Sequence, residues 1–415
     1  MENKISKFAP SDGFPKMPII DGIELSSVNG KISKGAKLDL LLIKASKNST
    51  ITGLFTKSKT CSAPVDWSKK NLKKLQNTEK PIGIVVNSGN ANVFTGSIGE
   101  NTVNQTVLSV AQQLDTSAKN IFVASTGVIG EVLPAEKITS QISSLEKTLK
   151  ENAFLSAAEA IMTTDTYPKG VCTTLSLGDT TIKINGIAKG SGMIAPNMAT
   201  MLVFIFSDVS IEKDILQKII ARCNDISFNC ITVDSDTSTS DSLFMIATGK
   251  AKMNKIESLK DPRAIKLEKH LAGLMLELAK LVIKDGEGIT KFIEIIVKGA
   301  KSQKNAYKVA KSVAESPLVK TAIAGEDPNW GRVVMAIGKS GVKIAKKKIS
   351  IFFGKHEVAS NGSISKNYNE LTVSKYMKNN SLIISIDLGQ GERRTSVYTC
   401  DLTHDYISIN ADYKS

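Results

Sequence analysis

Apolar residues recur along this chain in two distinct patterns. Short, largely apolar runs fall at residues 81–86, 121–124 and 201–206, with a strand pattern at 38–43, as expected for strands covered on both faces. Residues 101–114, 151–162, 211–222, 265–283 and 306–314 instead carry apolar positions at helical spacing. A hairpin is predicted where 171–177 and 181–184 flank Gly178 and Asp179. The opening stretch is loop-rich, punctuated by Pro10, Gly13, Pro15, Pro18, Gly22 and Gly30. From about residue 345 the pattern is strands and turns, a smaller C-terminal unit. Strands and helices alternate throughout, without internal repeats. The expectation is an α/β fold of the layered α+β kind, with helices covering mixed sheets.

Composition narrows the function classes. A chain of 415 residues is long enough for two or three packed units. No apolar run approaches the roughly 20 residues of a membrane span. The first ten residues hold lysines but no apolar signal core, so the expected location is the cytoplasm, with no membrane partner. The net charge is +14, yet the lysines are dispersed and not interleaved with aromatics, and the run Lys346-Lys347-Lys348 leads straight into a strand-like segment. That argues against nucleic acid and for a mild attraction toward anionic metabolites. Cys61, Cys172, Cys223, Cys230 and Cys400 form no CxxC pair, so neither a disulfide framework nor a metal site is expected.

Residues 189–202 (KGSGMIAPNMATML) carry the densest chemical information. Gly190, Gly192 and Pro196 predict a tight backbone, and an apolar strand starts just after Thr200. Ala199 is small, so the Thr200 hydroxyl can reach the carbonyl before it. That permits an N-to-O acyl shift, and hydrolysis of the resulting ester would free an N-terminal threonine. A threonine hydroxyl needs a base, and a free α-amine with a pKa of about 7.7–8.0 supplies one on the same residue. Histidine offers little competition. His270 sits on a charged helical stretch, His356 in a Gly-Lys-His turn and His404 in Thr-His-Asp, and no GxSxG is present. On local pattern alone, a Gly/Pro loop entering a strand is the better account of the segment.

Residues 189–202 resemble the self-processing site of the ornithine acetyltransferase family, enzymes of the cyclic arginine pathway. Further blocks match in the same order: 87–96 (NSGNANVFTG), 125–130 (STGVIG), 163–169 (TTDTYPK), 285–291 (DGEGITK), 325–332 (GEDPNWGR) and 410–415 (NADYKS). The resemblance spans almost the whole chain. Val93-Phe94 and the terminal Tyr-Lys-Ser are mild departures that leave the chemical positions intact.

The resemblance implies an N-terminal-nucleophile-like architecture. It implies cleavage between Ala199 and Thr200, giving an α chain of 1–199 and a β chain of 200–415 that assemble as a heterotetramer of two α and two β. Thr200 becomes the nucleophile, with Thr126 and Gly127 as the oxyanion hole. Substrate contacts fall on Thr163, Lys189, Thr200, Glu287, Asn410 and Ser415, with Thr164 and Thr166 as rival hydroxyls beside Thr163. Lys189 suits an α-carboxylate and Glu287 a side-chain ammonium. In 325–332, Asp327-Pro328 reads as a helix start, Trp330 as a packing residue, and Arg332 as a partner for a carboxylate or substrate. The implied activity is acetyl transfer from N2-acetyl-L-ornithine to L-glutamate, with no cofactor and no metal. Acetyl-CoA is a second donor in some relatives. The main alternative is a self-cleaving aminopeptidase or amidase that passes the acyl group to water. The other is a basic binding protein that never cleaves.

Overall fold

The computed structural model describes residues 5–75, 79–195 and 201–412. The first nine strands are β1 (Ile23–Val28), β2 (Leu40–Ala45), β3 (Thr50–Phe55), β4 (Ile82–Asn87), β5 (Ile121–Ser125), β6 (Lys169–Leu177), β7 (Thr180–Lys189), β8 (Leu202–Ser207) and β9 (Ser242–Ala247). They form two sheets, in the orders β1-β2-β4-β5 and β3-β9-β8-β7-β6.

The apolar runs have their explanation here. In β2, Leu41 and Ile43 face the second sheet, while Leu40 and Leu42 face helices. In β8, Leu202, Phe204 and Phe206 point between the sheets, while Val203 and Ile205 point outward. Both faces are covered, so alternation of side chains produces no polar positions. The inter-sheet layer is aromatic. Phe204 stacks on Phe244 at 6.0 Å, and Phe55 meets Phe244 edge-on at 5.3 Å. Each buried ring is worth about 1.5–3 kcal/mol of transfer energy. The helix Gly96–Gln113 covers the first sheet with Val103, Val107 and Val110. The helices Lys213–Asp225 and Pro262–Ile283 cover the second. The order is helix, sheet, sheet, helix.

Six further strands form the third sheet: β10 (Phe292–Ala300), β11 (Ser350–Phe353), β12 (His356–Ser360), β13 (Ser363–Ile364), β14 (Ser381–Asp387) and β15 (Arg393–Cys400), in the order β13-β12-β11-β14-β10-β15. β10 lies between β14, parallel to it, and β15, antiparallel. Its buried residues Ile293, Ile295 and Val297 pack with those of the helices Gln303–Ala314, Pro317–Ala324 and Trp330–Gly338.

Several boundaries differ from the sequence pattern for local reasons. β2 starts at Leu40 because Asp39, fully buried, accepts the N–H groups of Gly30, Ile32 and Ser33 at 2.6–2.8 Å. Its carboxylate organises a loop, not a strand. The helix expected at 151–162 covers only Phe154–Ala160. The Ser88 hydroxyl donates to the Ala160 carbonyl at 2.9 Å, and Asp165 accepts the Thr163 N–H at 3.0 Å. The helix near Pro328 begins two residues late, because the Asn329 side chain caps the Arg332 N–H at 3.2 Å. Trp330 does pack on the third core. The Arg332 guanidinium, by contrast, donates to the Leu318 carbonyl at 2.7 Å and the Thr321 hydroxyl at 3.2 Å, not to a carboxylate.

Candidate active site

β7 and β8 are antiparallel neighbours, paired Lys189 to Leu202 at one end of their sheet. The segment between them is therefore the connection of a hairpin. Ala199 and Thr200, and Ser415 at the C-terminus, lie outside the described residues. The residues flanking that segment line a cavity of about 120 Å³. Its walls include Thr126, Gly127, Thr163, Thr164, Lys189, Gly192, Met201, Asp241, Glu287 and Asn410. Of the eight positions singled out for catalysis or substrate contact, the six that are described meet at this one cavity.

They arrive on several different elements. β4 and β5 run parallel and end together, at Asn87 and Ser125. The Ser125 hydroxyl donates to Asn87 Oδ1 at 2.6 Å, and Asn87 Nδ2 donates to the Asn90 carbonyl at 2.8 Å. This cross-link sets the turn carrying Thr126 and Gly127. Gly127 has φ +128°, and a Cβ there would lie 2.3 Å from the Gly89 carbonyl carbon, so the turn tolerates only glycine. The NSGNAN block thus acts as the buttress of the Thr126–Gly127 turn.

Lys189 ends β7, is almost fully buried, and donates to the Thr163 hydroxyl at 2.9 Å. Burial pushes its pKa down, opposed by Asp165, Asp241 and Glu287. Thr164 bonds the Ser191 hydroxyl at 2.6 Å, and Thr166 bonds Asp285 through N–H and hydroxyl. Of the three threonines, Thr163 is the one hydrogen-bonded to Lys189. Glu287 is fixed through its N–H on the Ser191 carbonyl at 3.0 Å, and its carboxylate accepts Asn410 Nδ2 at 2.8 Å. A Cβ on Gly192 would come 2.3 Å from Glu287 Oε2, so any larger residue there would displace this carboxylate. Asn410 comes from the helix His404–Asp412, which brings the C-terminal segment to the cavity.

A buried ionic triad ties these segments together. Lys169 Nζ lies 2.6 Å from both Asp165 and Asp285, with all three side chains fully buried. Asp165 also accepts the N–H groups of Gly190 and Thr163, at 2.6 and 3.0 Å. Burial alone would raise its pKa, but Lys169, Lys189 and the Gly190 N–H outweigh that and hold it at about 2. Asp285 moves up instead, because burial and the Asp165 charge exceed the pull of Lys169. Asp234 clamps the loop beyond Gly192. It accepts the Met193 and Ile194 N–H groups at 2.5 and 2.9 Å, with Met193 held at φ +55°.

None of Lys169, Asp234 or Asp241 was singled out from sequence as a site residue. The available signal was the run Asp234 to Ser242 (DSDTSTSDS), which is rich in hydroxyls and carboxylates and leads into a strand. Among the described residues no cluster of His, Cys, Asp or Glu has the arrangement of a metal site. No described helix is long and apolar enough to cross a membrane.

Two sheets between helix layers, with a cavity lined by hydroxyls, a buried lysine and carboxylates, define an enzyme for small charged molecules. The family model described as "ArgJ family" matches residues 24–415. The "Arginine biosynthesis bifunctional protein ArgJ" of Ruegeria pomeroyi is 46% identical over 412 residues, covering 99% of each chain. A solved structure of the protein of that name from Bacillus halodurans is 37% identical, with a TM-score of 0.48, covering 50% of this chain and 96% of its own. Another, an ornithine acetyltransferase complexed with ornithine from Mycobacterium tuberculosis, is 29% identical with a TM-score of 0.36, covering 43% of this chain and 94% of its own. The chain belongs to the ArgJ family.

Proposed function

We propose that this protein is a glutamate N-acetyltransferase of arginine biosynthesis, working through an acetyl-Thr200 intermediate. The supporting observation is the convergence of Thr126, Gly127, Lys189 and Glu287 on one cavity at the head of β8, in a chain of the ArgJ family. Maturation precedes turnover. The Thr200 hydroxyl adds to the Ala199 carbonyl, the Ala199–Thr200 C–N bond breaks, and an ester forms. Water hydrolyses the ester, leaving the Ala199 carboxylate and a free Thr200 α-amine. The products are the chains 1–199 and 200–415, which stay together because β7 and β8 are hydrogen-bonded neighbours.

In turnover the α-amine accepts the Thr200 hydroxyl proton as the oxygen attacks the acetyl carbonyl of N2-acetyl-L-ornithine. The oxyanion is held by the Thr126 hydroxyl and the Gly127 N–H, donors worth roughly 3–4 kcal/mol each in such a role. The C–N bond breaks, the proton passes to the leaving α-nitrogen, and ornithine departs. The amine of L-glutamate then attacks the acetyl ester, giving N-acetyl-L-glutamate and restoring Thr200. Lys189 pairs with the α-carboxylate of either substrate and Glu287 with the ornithine ammonium. Thr163, Asn410 and Ser415 complete the polar lining. The "bifunctional" relatives extend the reading to acetyl-CoA as a second acetyl donor. Two copies of each chain in one assembly, in the cytoplasm, complete the proposal.

The test is an initial-rate study with acetylornithine, acetyl-CoA and glutamate. Parallel lines in double-reciprocal plots are the expected ping-pong result. Release of acetate without acetylglutamate would instead identify a hydrolase. Thr200→Ala abolishes both cleavage and transfer, and a variant that still splits would overturn the nucleophile assignment.

A further inference from the structure

The helix His404–Asp412 brings Asn410 to the cavity without a hydrophobic anchor. None of its residues is buried, and Ile407 is 64% exposed. Helices in proteins are ordinarily held by packing an apolar face. Here polar contacts take that role. Just upstream, the buried Asp401 accepts the N–H groups of Thr290 and Lys291 at 2.9 and 2.8 Å. The Thr403 hydroxyl donates to the Gly288 carbonyl at 2.7 Å. Gly288, at φ +69°, lets the helix backbone come close: a Cβ there would lie 2.5 Å from the Tyr406 nitrogen. These contacts pin the start of the helix. Beyond it, Tyr406 and Asn410 stand one turn apart on the same face. Asn410 Nδ2 donates to Glu287 Oε2 at 2.8 Å, and the Tyr406 hydroxyl donates to Asp234 Oδ2 at 3.3 Å. Burial, with the Asp234 and Glu287 charges close by, raises the pKa of the phenol, so the hydroxyl keeps the proton it donates.

Asp234 is bound to another wall of the same cavity. Its carboxylate accepts the Met193 and Ile194 N–H groups, and the Val233 N–H donates to the Ile194 carbonyl at 2.7 Å. Met193 and Ile194 both line the cavity. We infer that Tyr406 is a positioning residue for this site: its bond to Asp234 seats the C-terminal helix against the 193–194 loop and so holds Asn410 beside Glu287. The inference rests on the acetyltransferase reading, in which Glu287 receives the ornithine ammonium. Tyr406 itself is not among the described residues that line the cavity, so it acts on substrate through Asn410. Without its hydroxyl the helix is pinned only at Thr403 and through Asn410 itself. The Asn410 amide then spreads over several positions, and Glu287 Oε2 loses a fixed donor. The hydrophobic cores are untouched, because no described residue of this helix belongs to them.

The test is Tyr406→Phe, which removes one oxygen and keeps the ring. In acetyl transfer to glutamate, KM for acetylornithine rises about 3–10-fold, the low end for a long bond to a charged partner, while kcat stays within about twofold. In an Asn410→Ala background the same change moves KM by less than about twofold, because the group it positions is gone. Independently of activity, the amides of residues 404–412 exchange hydrogen roughly threefold faster or more in Tyr406→Phe, while those of β10 keep their wild-type rates. An unchanged KM, a loss confined to kcat, or full additivity with Asn410→Ala overturns the inference. So does equal exchange of the helix amides in wild type and variant. A wild-type protein that transfers no acetyl group refutes the reading of the site instead, and the exchange comparison then still decides whether Tyr406 seats the helix.

Discussion

Replacing Lys169 by methionine removes the cation at the centre of the triad while nearly conserving its volume. In the wild type Lys169 Nζ bridges Asp165 and Asp285 at 2.6 Å each, with no solvent exposure. The variant leaves two carboxyls facing each other in the interior. Breaking a buried pair by removing one partner costs about 3–5 kcal/mol. Lys189 also acts on Asp165, and the Gly190 and Thr163 N–H groups remain, which places the expected loss near the lower end. The pH dependence carries a definite sign. Asp165 is held at about 2, below the unfolded value of about 3.9. Its contribution of roughly 2–3 kcal/mol is complete above the unfolded pKa and is lost as pH falls through the folded one. In Lys169→Met the carboxyls take up protons at higher pH, so the deficit against wild type is largest at pH 7 and shrinks toward pH 4. Urea unfolding midpoints at fixed protein concentration, at both pH values, measure it. A double variant, Lys169→Met with Asp285→Asn, recovers part of the loss. A single variant within 1 kcal/mol of wild type at pH 7, or a deficit independent of pH, would refute the keystone role.

Glu287→Gln removes the negative partner of the ornithine side chain. A hydrogen bond to a charged group is worth about 1.5–3 kcal/mol, so KM for acetylornithine rises roughly 10–100-fold. KM for glutamate, whose side chain is itself an anion, does not rise; equal increases for both substrates would contradict the assignment. Thr126→Val deletes one oxyanion donor at little change in shape, and kcat falls by about 10²–10³ with KM held. A change confined to KM would move Thr126 from transition-state stabilisation to ground-state binding.

The fold was legible where burial leaves a mark in the sequence. β2, β4, β5 and β8 lie between two covered faces, so each reads as an apolar run. The long helix Pro262–Ile283 is legible from its apolar spacing over 265–283, although its true start lies three residues earlier, at the Asp261 cap. Pairing order was not legible. Nothing local says that β10 inserts between β14 and β15, some 90 residues further on. The same distinction governs the site. Thr126, Gly127, Thr163, Lys189, Glu287 and Asn410 stand in motif blocks and meet at one cavity. Lys169 and Asp285 are 116 positions apart, so their ion pair exists only once the sheets are assembled. Asp241 looks like one more polar residue before a strand until β8 and β9 are seen to be parallel neighbours. The Asn329 cap shows a subtler limit. Asp327-Pro328 is a good helix start, but a better-placed side chain two residues later prevails.

The proposed chemistry depends above all on a free amino group at Thr200. Denaturing intact mass of the purified protein, followed by N-terminal sequencing of the fragments, tests this most directly. The account predicts two chains, the second beginning Thr-Met-Leu-Val. A single 44.6 kDa chain that nonetheless transfers acetyl groups to glutamate would contradict it.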